Sequence, residues 1–272
     1  MRFDLHIHSY YSDGRYSPEE IIDIAYSRNL SGISITDHDT IASIDRAVNY
    51  GKDINEFYII PGIEFSCMYN KSDVHILGYI KNYKHPKLIK KIKYLSESRK
   101  RRGMKIISKL NRQGIMIDYK DLLKNSNQKF VGRVPIAKAL IQNNYVSTIE
   151  EGFDKYLIKG KMGYVEKESF SISETIRLIK SVGGISILAH PGQLNNMNIV
   201  EYCIQCGIDG LESIHPSHNE EEVKKFRKIA LRNNLIETGG SDCHGDIVKG
   251  DLLLGKYYID LNKMPKLKEM II

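Results

Sequence analysis

The 272 residues, of which 42% are hydrophobic, suit a globular protein with one barrel-sized domain or a domain that carries a sizeable insertion. Four scattered cysteines exclude a disulfide framework, and the lack of an apolar leader or a long apolar run excludes membrane spans and predicts a cytoplasmic protein. The net charge of +7 is a local feature, because residues 81–112 carry thirteen Lys or Arg against one acid, Glu97.

Strand-like and helix-like patterns alternate along most of the chain. Strands are expected near residues 2–7, 32–36, 57–63, 74–80, 185–189, 208–214 and 236–240. Helices are expected between them, near residues 18–29, 40–53, 172–182, 198–206 and 219–234. Two of these helices have start signals, since Ser17 is followed by Pro18 and Glu20, and Ser171 by Glu174. This order is typical of an α/β fold.

The stretch from residue 81 to residue 165 breaks the alternation. It predicts consecutive helices near 86–113, 118–125, 133–143 and 147–158. We therefore expect an α/β domain made of residues 1–80 and 166–272, interrupted by a helical insertion, 81–165. The basic residues of the insertion form either a solvated helix face or a surface that steers polyanions.

Histidines and carboxylates occur at the ends of the predicted strands. His6 and His8 are two residues apart in an extended segment, so their side chains point to the same side. In an α/β barrel the carboxyl ends of the strands converge on one face. A single such residue is usually an ordinary hydrogen-bonded group, but so many together predict a multinuclear metal site. The further candidates are Asp13, Asp37, His38, Glu64, His75, His190, Asp242 and His244.

The types of ligand limit the metal. Imidazoles and carboxylates without thiolates suit Zn, Mn or Fe and do not decide among them. Glu64 has two oxygens that can bridge two ions, and ions about 3.5–4 Å apart can hold a hydroxide and neutralise a phosphoryl group. We expect two to three divalent ions as cofactors.

Five motifs of the chain, in the same order, resemble those of the polymerase and histidinol phosphatase (PHP) family. They are His6-Ile7-His8, Thr36-Asp37-His38, Glu64, Ala189-His190-Pro191 and Asp242-Cys243-His244. The resemblance covers the whole chain, and the insertion is similar to that of the branch with stand-alone nucleotide phosphatases and a 5′–3′ exoribonuclease. It implies a distorted, TIM-like (β/α)7 barrel with an inserted small helical domain and a trinuclear site.

The resemblance also implies how the ligands divide. The first metal would take His6, His8, Glu64 and Asp242, the second Asp13, His38 and His244, and the third Glu64, His75 and His190. Asp13 stands where several other branches have His. This difference argues against a histidinol phosphatase and favours Mn or Fe, because oxygen is a harder ligand than nitrogen.

Three residues outside the ligand set have expected roles. Arg133 resembles the Arg of a Gly-Arg-Pro-His element, without the Pro-His order, which implies bidentate binding of a substrate phosphate. His218 ends a Pro-Ser-His segment similar to that of the branch, which implies phosphate contact or general-acid catalysis, against the alternative of a surface histidine. Asp37 either orients the imidazole of His38 or forms a turn. No role is assigned to His85 or His215.

The sequence thus predicts a metal-dependent phosphoesterase in which metal-activated hydroxide attacks a phosphate ester of a nucleotide or short oligonucleotide. The expected activity is that of a nucleoside 3′,5′-bisphosphate phosphatase, a 5′–3′ exoribonuclease on short RNA, or both, with the insertion selecting substrates as a cap. The alternatives are a phosphatase of a non-nucleotide metabolite and a non-catalytic assembly module. The sequence names no protein partner.

Overall fold

The structure is a computed structural model, and it describes residues 1–70, 72–124, 131–168, 170–245, 247–248 and 250–272. The chain divides into two compact units, one formed by Met1–Lys90 and Ser169–Ile272 and the other by Lys91–Glu168. The first segment of the first unit ends at residue 90, whereas the sequence analysis placed the start of the insertion at residue 81. None of the helices in the described residues has the length and apolarity needed to cross a bilayer.

The strands of the first unit lie close to the expected positions. The main strands are β1 (Arg2–Ile7), β2 (Gly32–Ile35), β3 (Tyr58–Ile59), β4 (Gly62–Tyr69), β5 (Ser72–Tyr79), β6 (Ile185–Leu188), β7 (Gly210–Ile214) and β8 (Ile236–Gly239). Three two-residue strands follow: β9 (Ile247–Val248), β10 (Asp251–Leu252) and β11 (Ile259–Asp260). The expected strand at 57–63 is divided at Pro61, since proline has no N–H to donate to a sheet.

Within the described residues the strands form two larger sheets and a small hairpin, not one closed barrel. The first sheet has the order β11-β1-β2-β3 and the second β4-β5-β6-β7-β8. The fold is therefore mixed α/β, and the expected parallel alternation fails at β4, β5 and β6, which pair antiparallel. Isolated bridges between Ile7 and Cys243 and between His38 and Glu64 link the two sheets.

The helices of the described residues follow the expected pattern. They are α1 (Pro18–Ser27), α2 (Ile44–Gly51), α3 (Pro86–Asn111), α4 (Tyr119–Lys124), α5 (Arg133–Gln142), α6 (Ile149–Gly152), α7 (Ile172–Ser181), α8 (Asn198–Gln205), α9 (Glu220–Arg232) and α10 (Pro265–Lys268). The start signals are confirmed, because Ser17 and Ser171 each form a reciprocal capping box with the glutamate three residues later.

Each unit has its own apolar core. In the first unit, Ile7, Ile33 and Ile35 pack against helix residues such as Ile21 and Ile22. A second cluster on the strands contains Phe3, Leu5, Leu77, Ile187 and Ile259. In the second unit, the core is formed by residues of α3 and α5, among them Leu110, Ile136, Ala137 and Leu140. The apolar residues on the strands of the first unit thus belong to two clusters that hold its sheets and helices together.

Candidate metal centre

Two buried histidines lie at the carboxyl end of β1. The Nε2 atoms of His6 and His8 are 3.4 and 3.1 Å from Oδ1 of Asp242, which follows β8. Gly240 permits this approach, because a Cβ at that position would lie 2.4 Å from the backbone nitrogen of His6. The end of β8 can therefore approach β1 this closely only with a glycine at residue 240.

Glu64 lies among five histidines. Its side chain is buried inside β4, near the start of that strand rather than at the strand end that the sequence predicted. Oε1 is 3.5, 3.0 and 3.2 Å from nitrogens of His6, His75 and His190. Oε2 is 3.2 and 2.9 Å from nitrogens of His8 and His38. A carboxylate with both oxygens used in this way has the geometry of a bridging ligand.

Asp13 and His244 complete a second cluster. Nε2 of His244 is 3.3 Å from Oδ1 of Asp13, and Nε2 of His38 is 3.7 Å from Oδ2. Nδ1 of His8 is also 3.7 Å from Asp13. The Asp13 side chain is 53% exposed, so this cluster opens toward solvent.

The structure brings together all nine expected metal ligands. Four overlapping groups have ligand atoms within 4.8 Å of one another: His8 with Asp13, His38 and His244; His6 with Glu64 and His190; His6 with His8 and Asp242; and His38 with Glu64 and His75. Nδ1 of His75 also lies 3.3 Å from Nε2 of His190. Several side chains belong to more than one group, so the groups adjoin and share residues.

The donor atoms fit divalent ions. Among the described residues, Nε2 of His6, Nε2 of His8, Nδ1 of His38 and Oε2 of Glu64 are buried and have no hydrogen-bond partner beyond the contacts with other candidate ligands given above. A buried polar atom without a partner costs about 1–3 kcal/mol. Each of the three nitrogens lies within 3.5 Å of one of the Glu64 oxygens, and imidazole and carboxylate donors are suited to Zn, Mn or Fe. Ion binding would satisfy them together.

The charges of the cluster compensate each other. Burial alone would raise the pKa of Glu64, but the neighbouring His38, His75 and His6 hold that pKa well below its usual range. Burial likewise opposes protonation of His8, yet hydrogen bonds and charges from Asp242 and Glu64 raise its pKa to about 10. Without metal, His6 and His8 therefore hold protons that divalent ions would have to displace, whereas burial lowers the pKa of His38.

Asp37 braces the loop that follows β1. Its carboxylate accepts hydrogen bonds from the backbone N–H of Ser9 at 2.8 Å, the Ser9 hydroxyl at 2.7 Å and the Ser12 hydroxyl at 2.7 Å. The Ser12 hydroxyl lies 3.4 Å from Nδ1 of His8. Among the described residues these contacts connect Asp37 to His8 through Ser12, and the expected role of Asp37 in orienting His38 stays a prediction.

Two residues of the β7 segment lie behind the ligands and were missed in the sequence. Glu212 is fully buried, with both oxygens 3.2 Å from Nδ1 of His6. Nε2 of His215 is 3.3 Å from Oδ2 of Asp242, while its Nδ1 accepts a hydrogen bond from the backbone N–H of Ser217. The Nδ1 contact leaves the proton of a neutral His215 on Nε2, where it can be donated to Asp242. Outer contacts of this kind fix the orientation of metal ligands.

His218 has both ring nitrogens occupied by the backbone. Nδ1 lies 2.9 Å from the carbonyl oxygen of Ser213, and Nε2 accepts a hydrogen bond of 3.0 Å from the N–H of Gly192. Burial is the main cause of the lowered pKa of His218. A neutral, buried imidazole with these contacts is suited to connecting the segments after β6 and β7. The geometry disfavours the expected role as general acid or phosphate ligand.

Arg133 lies in the second unit as the first residue of α5. Its guanidinium carbon lies 5.3 Å from the ring centre of Phe153, a cation–π contact that leaves the charge in place. The long basic helix α3 belongs largely to the same unit, and Arg101 pairs there with Glu168 at 3.4 Å. The role of Arg133 as a phosphate ligand stays a prediction.

Comparison with known proteins identifies the family. The PHP domain model matches residues 4–168. The chain belongs to the PHP domain family. A Haemophilus influenzae protein named 5′-3′ exoribonuclease is 32% identical over 249 residues, which are 89% of this chain and 90% of that protein. A Chromobacterium violaceum protein named 3′,5′-nucleoside bisphosphate phosphatase is 30% identical over 89% of this chain and 86% of its own length.

A solved structure has the same fold. A Bifidobacterium adolescentis protein described as a metal-dependent phosphoesterase superposes with a TM-score of 0.80 at 28% sequence identity. The alignment covers 98% of this chain and 94% of that protein. The family expected from the five motifs is therefore confirmed, and the match extends over both units.

Proposed function

We propose that this protein is a metal-dependent phosphoesterase that hydrolyses nucleotide phosphate esters, as a nucleoside 3′,5′-bisphosphate phosphatase, a 5′–3′ exoribonuclease on short RNA, or both. The observation that carries the proposal is the position of Glu64, whose two oxygens face five histidines that are shared among the four overlapping groups. The names of the relatives from Haemophilus influenzae and Chromobacterium violaceum support the nucleotide substrate.

In this proposal the ligands divide as the family resemblance implies, with His6, His8, Glu64 and Asp242 in one group, Asp13, His38 and His244 in the second, and Glu64, His75 and His190 in the third. Bound divalent ions would supply a hydroxide nucleophile at neutral pH and neutralise charge on the phosphoryl group. Glu64, which belongs to two of the groups, would keep the ions of those groups close to each other. We propose two to three ions of Mn, Fe or Zn. The half-exposed Asp13 group would face the incoming substrate.

A cavity of about 400 Å³ opens beside the third group. It is lined by His75, His190, Ser72, Asp73, Gln193, Leu194 and Asn195, with no Lys or Arg in that set. A reacting phosphate there would depend on the metal centre for charge compensation. A second phosphate would need another cation, and we propose Arg133 for it because its guanidinium can bind phosphate bidentately. The second unit would then select substrates by their second phosphate.

We propose further that the two sheets of the first unit form the distorted barrel typical of the family. The Ile7–Cys243 and His38–Glu64 bridges support this, since they join the two sheets at residues that are candidate ligands or are next to them in the chain. A cytoplasmic location, with no protein partner named, belongs to the same proposal.

The test is a screen of phosphate release combined with metal analysis. The purified protein should contain two or three Mn, Fe or Zn ions and should release phosphate from nucleoside 3′,5′-bisphosphates or nucleotides from 5′-phosphorylated short RNA. A chelator should lower the rate by at least about a hundredfold, because the site then loses the ions that activate water. Full activity in metal-free protein would overturn the mechanism.

Two other outcomes correspond to the alternatives. Preference for sugar or amino-alcohol phosphates over all nucleotides would identify a phosphatase of a non-nucleotide metabolite. No turnover of any phosphate ester by the metal-loaded protein would favour a non-catalytic assembly module. The nine converging ligands argue against the second alternative, since an assembly role does not require them.

A further inference from the structure

Glu212 contacts two candidate ligands, His6 and His190, which the division proposed above assigns to different ion positions. Its carboxylate lies in β7, with no exposed surface, and contributes to none of the four ligand groups. Both oxygens are 3.2 Å from Nδ1 of His6, and Oε2 also accepts a hydrogen bond of 2.9 Å from the backbone N–H of His190. The Glu212 side chain thus contacts His6, which is assigned to the first proposed ion position, and His190, which is assigned to the third.

At His6 the contact determines which nitrogen faces the metal centre. A carboxylate can only accept, so Nδ1 of His6 carries the hydrogen and donates it to Glu212. The lone pair of a neutral imidazole is then on Nε2, which faces Glu64 and Asp242 at 3.5 and 3.4 Å. A carboxylate behind the ring also makes that nitrogen a stronger ligand.

At His190 the contact stabilises an unusual backbone. His190 has φ +28° and ψ +59°, in the left-handed region that residues with a Cβ rarely adopt. Such a strained conformation persists only where the surroundings hold it. The charge-assisted hydrogen bond to Glu212 helps to hold it, and so keeps Nε2 of His190 3.2 Å from Oε1 of Glu64.

We propose that Glu212 is a positioning residue that couples the two ion positions formed around His6 and around His190. An ion bound by His6 fixes the ring whose Nδ1–H orients the Glu212 carboxylate. The same carboxylate sets the backbone of His190, so occupancy of the two positions rises together. The group of Asp13, His38 and His244 should not be coupled in this way, because among the described residues Glu212 forms hydrogen bonds with His6 and His190. The inference rests on the metal centre proposed above.

The experiment titrates the full-length, metal-stripped protein with Mn²⁺ alone and compares wild type with Glu212→Gln and Glu212→Asp. Glutamine keeps the volume and an acceptor for His190 but removes the charge and replaces one acceptor facing His6 with an amide donor. Losing an outer contact of a metal ligand typically lowers affinity about 10–100-fold. Anomalous diffraction from Mn²⁺-soaked crystals measures the occupancy of each position. Asp13→Asn is the matched control, since it alters a different group.

We expect both Glu212 variants to weaken the His6 and His190 positions together by about 10–100-fold, with Asp near to Gln because the shorter side chain cannot reach both partners. Asp13→Asn should weaken only its own position. Weaker Mn²⁺ binding at the His6 position alone, or unchanged Mn²⁺ affinity at both positions, would overturn the coupling while leaving the metal centre intact. Equal loss at all three positions, together with a lower melting temperature of the metal-free protein, would assign Glu212 a purely structural role. Wild type that binds no Mn²⁺ would overturn the metal centre itself and the coupling with it.

Discussion

The two units use their charged residues in opposite ways. In the first unit, Glu64 and His6 are almost completely buried and face one another. In the second unit, the Arg101–Glu168 pair has both side chains about half exposed. A buried charge is expensive unless it is paired or binds a metal, whereas an exposed ion pair contributes about 0–1 kcal/mol. The buried charges of the first unit are therefore costly to folding unless partners or ions compensate them, while exposed charges of the second unit can change with little cost to folding.

Replacing Glu64 should have the largest effect on activity and metal content. We expect Glu64→Gln to lower activity by at least about a hundredfold and to lower metal content, because one amide oxygen cannot bridge two ions. Asp13→Asn should lose less metal, since Asp13 belongs to one of the four ligand groups, whereas Glu64 belongs to two. Elemental analysis of both variants, purified side by side, measures the difference. Equal metal content in the two would reject Glu64 as the bridging ligand.

Arg133 tests whether the second unit contributes directly to substrate binding. Arg133→Ala should lower kcat/KM for a nucleoside 3′,5′-bisphosphate roughly tenfold to a hundredfold, because a charge-assisted hydrogen bond contributes about 1.5–3 kcal/mol. The loss should appear in KM, with metal content unchanged. A nucleoside monophosphate is the control substrate and should lose much less. Equal losses on the two substrates would mean that Arg133 acts on the reacting phosphate or only supports the fold.

The exposed lysines of α3 should give the smallest effect. Lys93, Lys100 and Lys105 are exposed on this helix, and their combined replacement by Gln should lower the rate on oligonucleotides a few-fold at low salt. Mononucleotides should be nearly unaffected, since they present fewer phosphates to a long basic surface. The difference should diminish as salt rises, because the Debye length falls from about 10 Å at 0.1 M to about 3 Å at 1 M. Identical losses on both substrates, without salt dependence, would show that these lysines form only a solvated face.

The arrangement of the strands was only partly predictable. Periodicity located the strands because buried runs such as Ile185–Leu188 are bounded by turn residues. It did not show that β4 and β5 form an antiparallel hairpin, in which Glu64 pairs with Leu77 and Ser66 with His75. The turn depends on Asn70 at φ +47°, a local conformation that hydrophobic patterns do not report. Pairing between strands distant in sequence requires the folded chain.

The ligands were more predictable than the residues behind them. His6 and His8 share a face because strand side chains alternate, so their cooperation can be read from two positions in the sequence. Glu212 gives no such signal, since a single glutamate within a short strand is equally typical of a solvent-facing position. Its role depends on the distance to His6, which lies 206 residues away. The contacts of Asp37 with Ser9 and Ser12 were likewise visible only in three dimensions.

The position of β1 in its sheet has a consequence for folding of the protein during its synthesis. β1 lies between β2 and β11, with Phe3 paired to both Gly32 and Ile259. The candidate ligands lie between His6 and His244 in the chain. The first histidines are therefore synthesised long before the last ligands. At about 5–20 residues per second this interval lasts on the order of tens of seconds. During translation the early imidazoles are therefore open to stray ions, and a correctly assembled centre can form only after nearly the whole polypeptide has emerged.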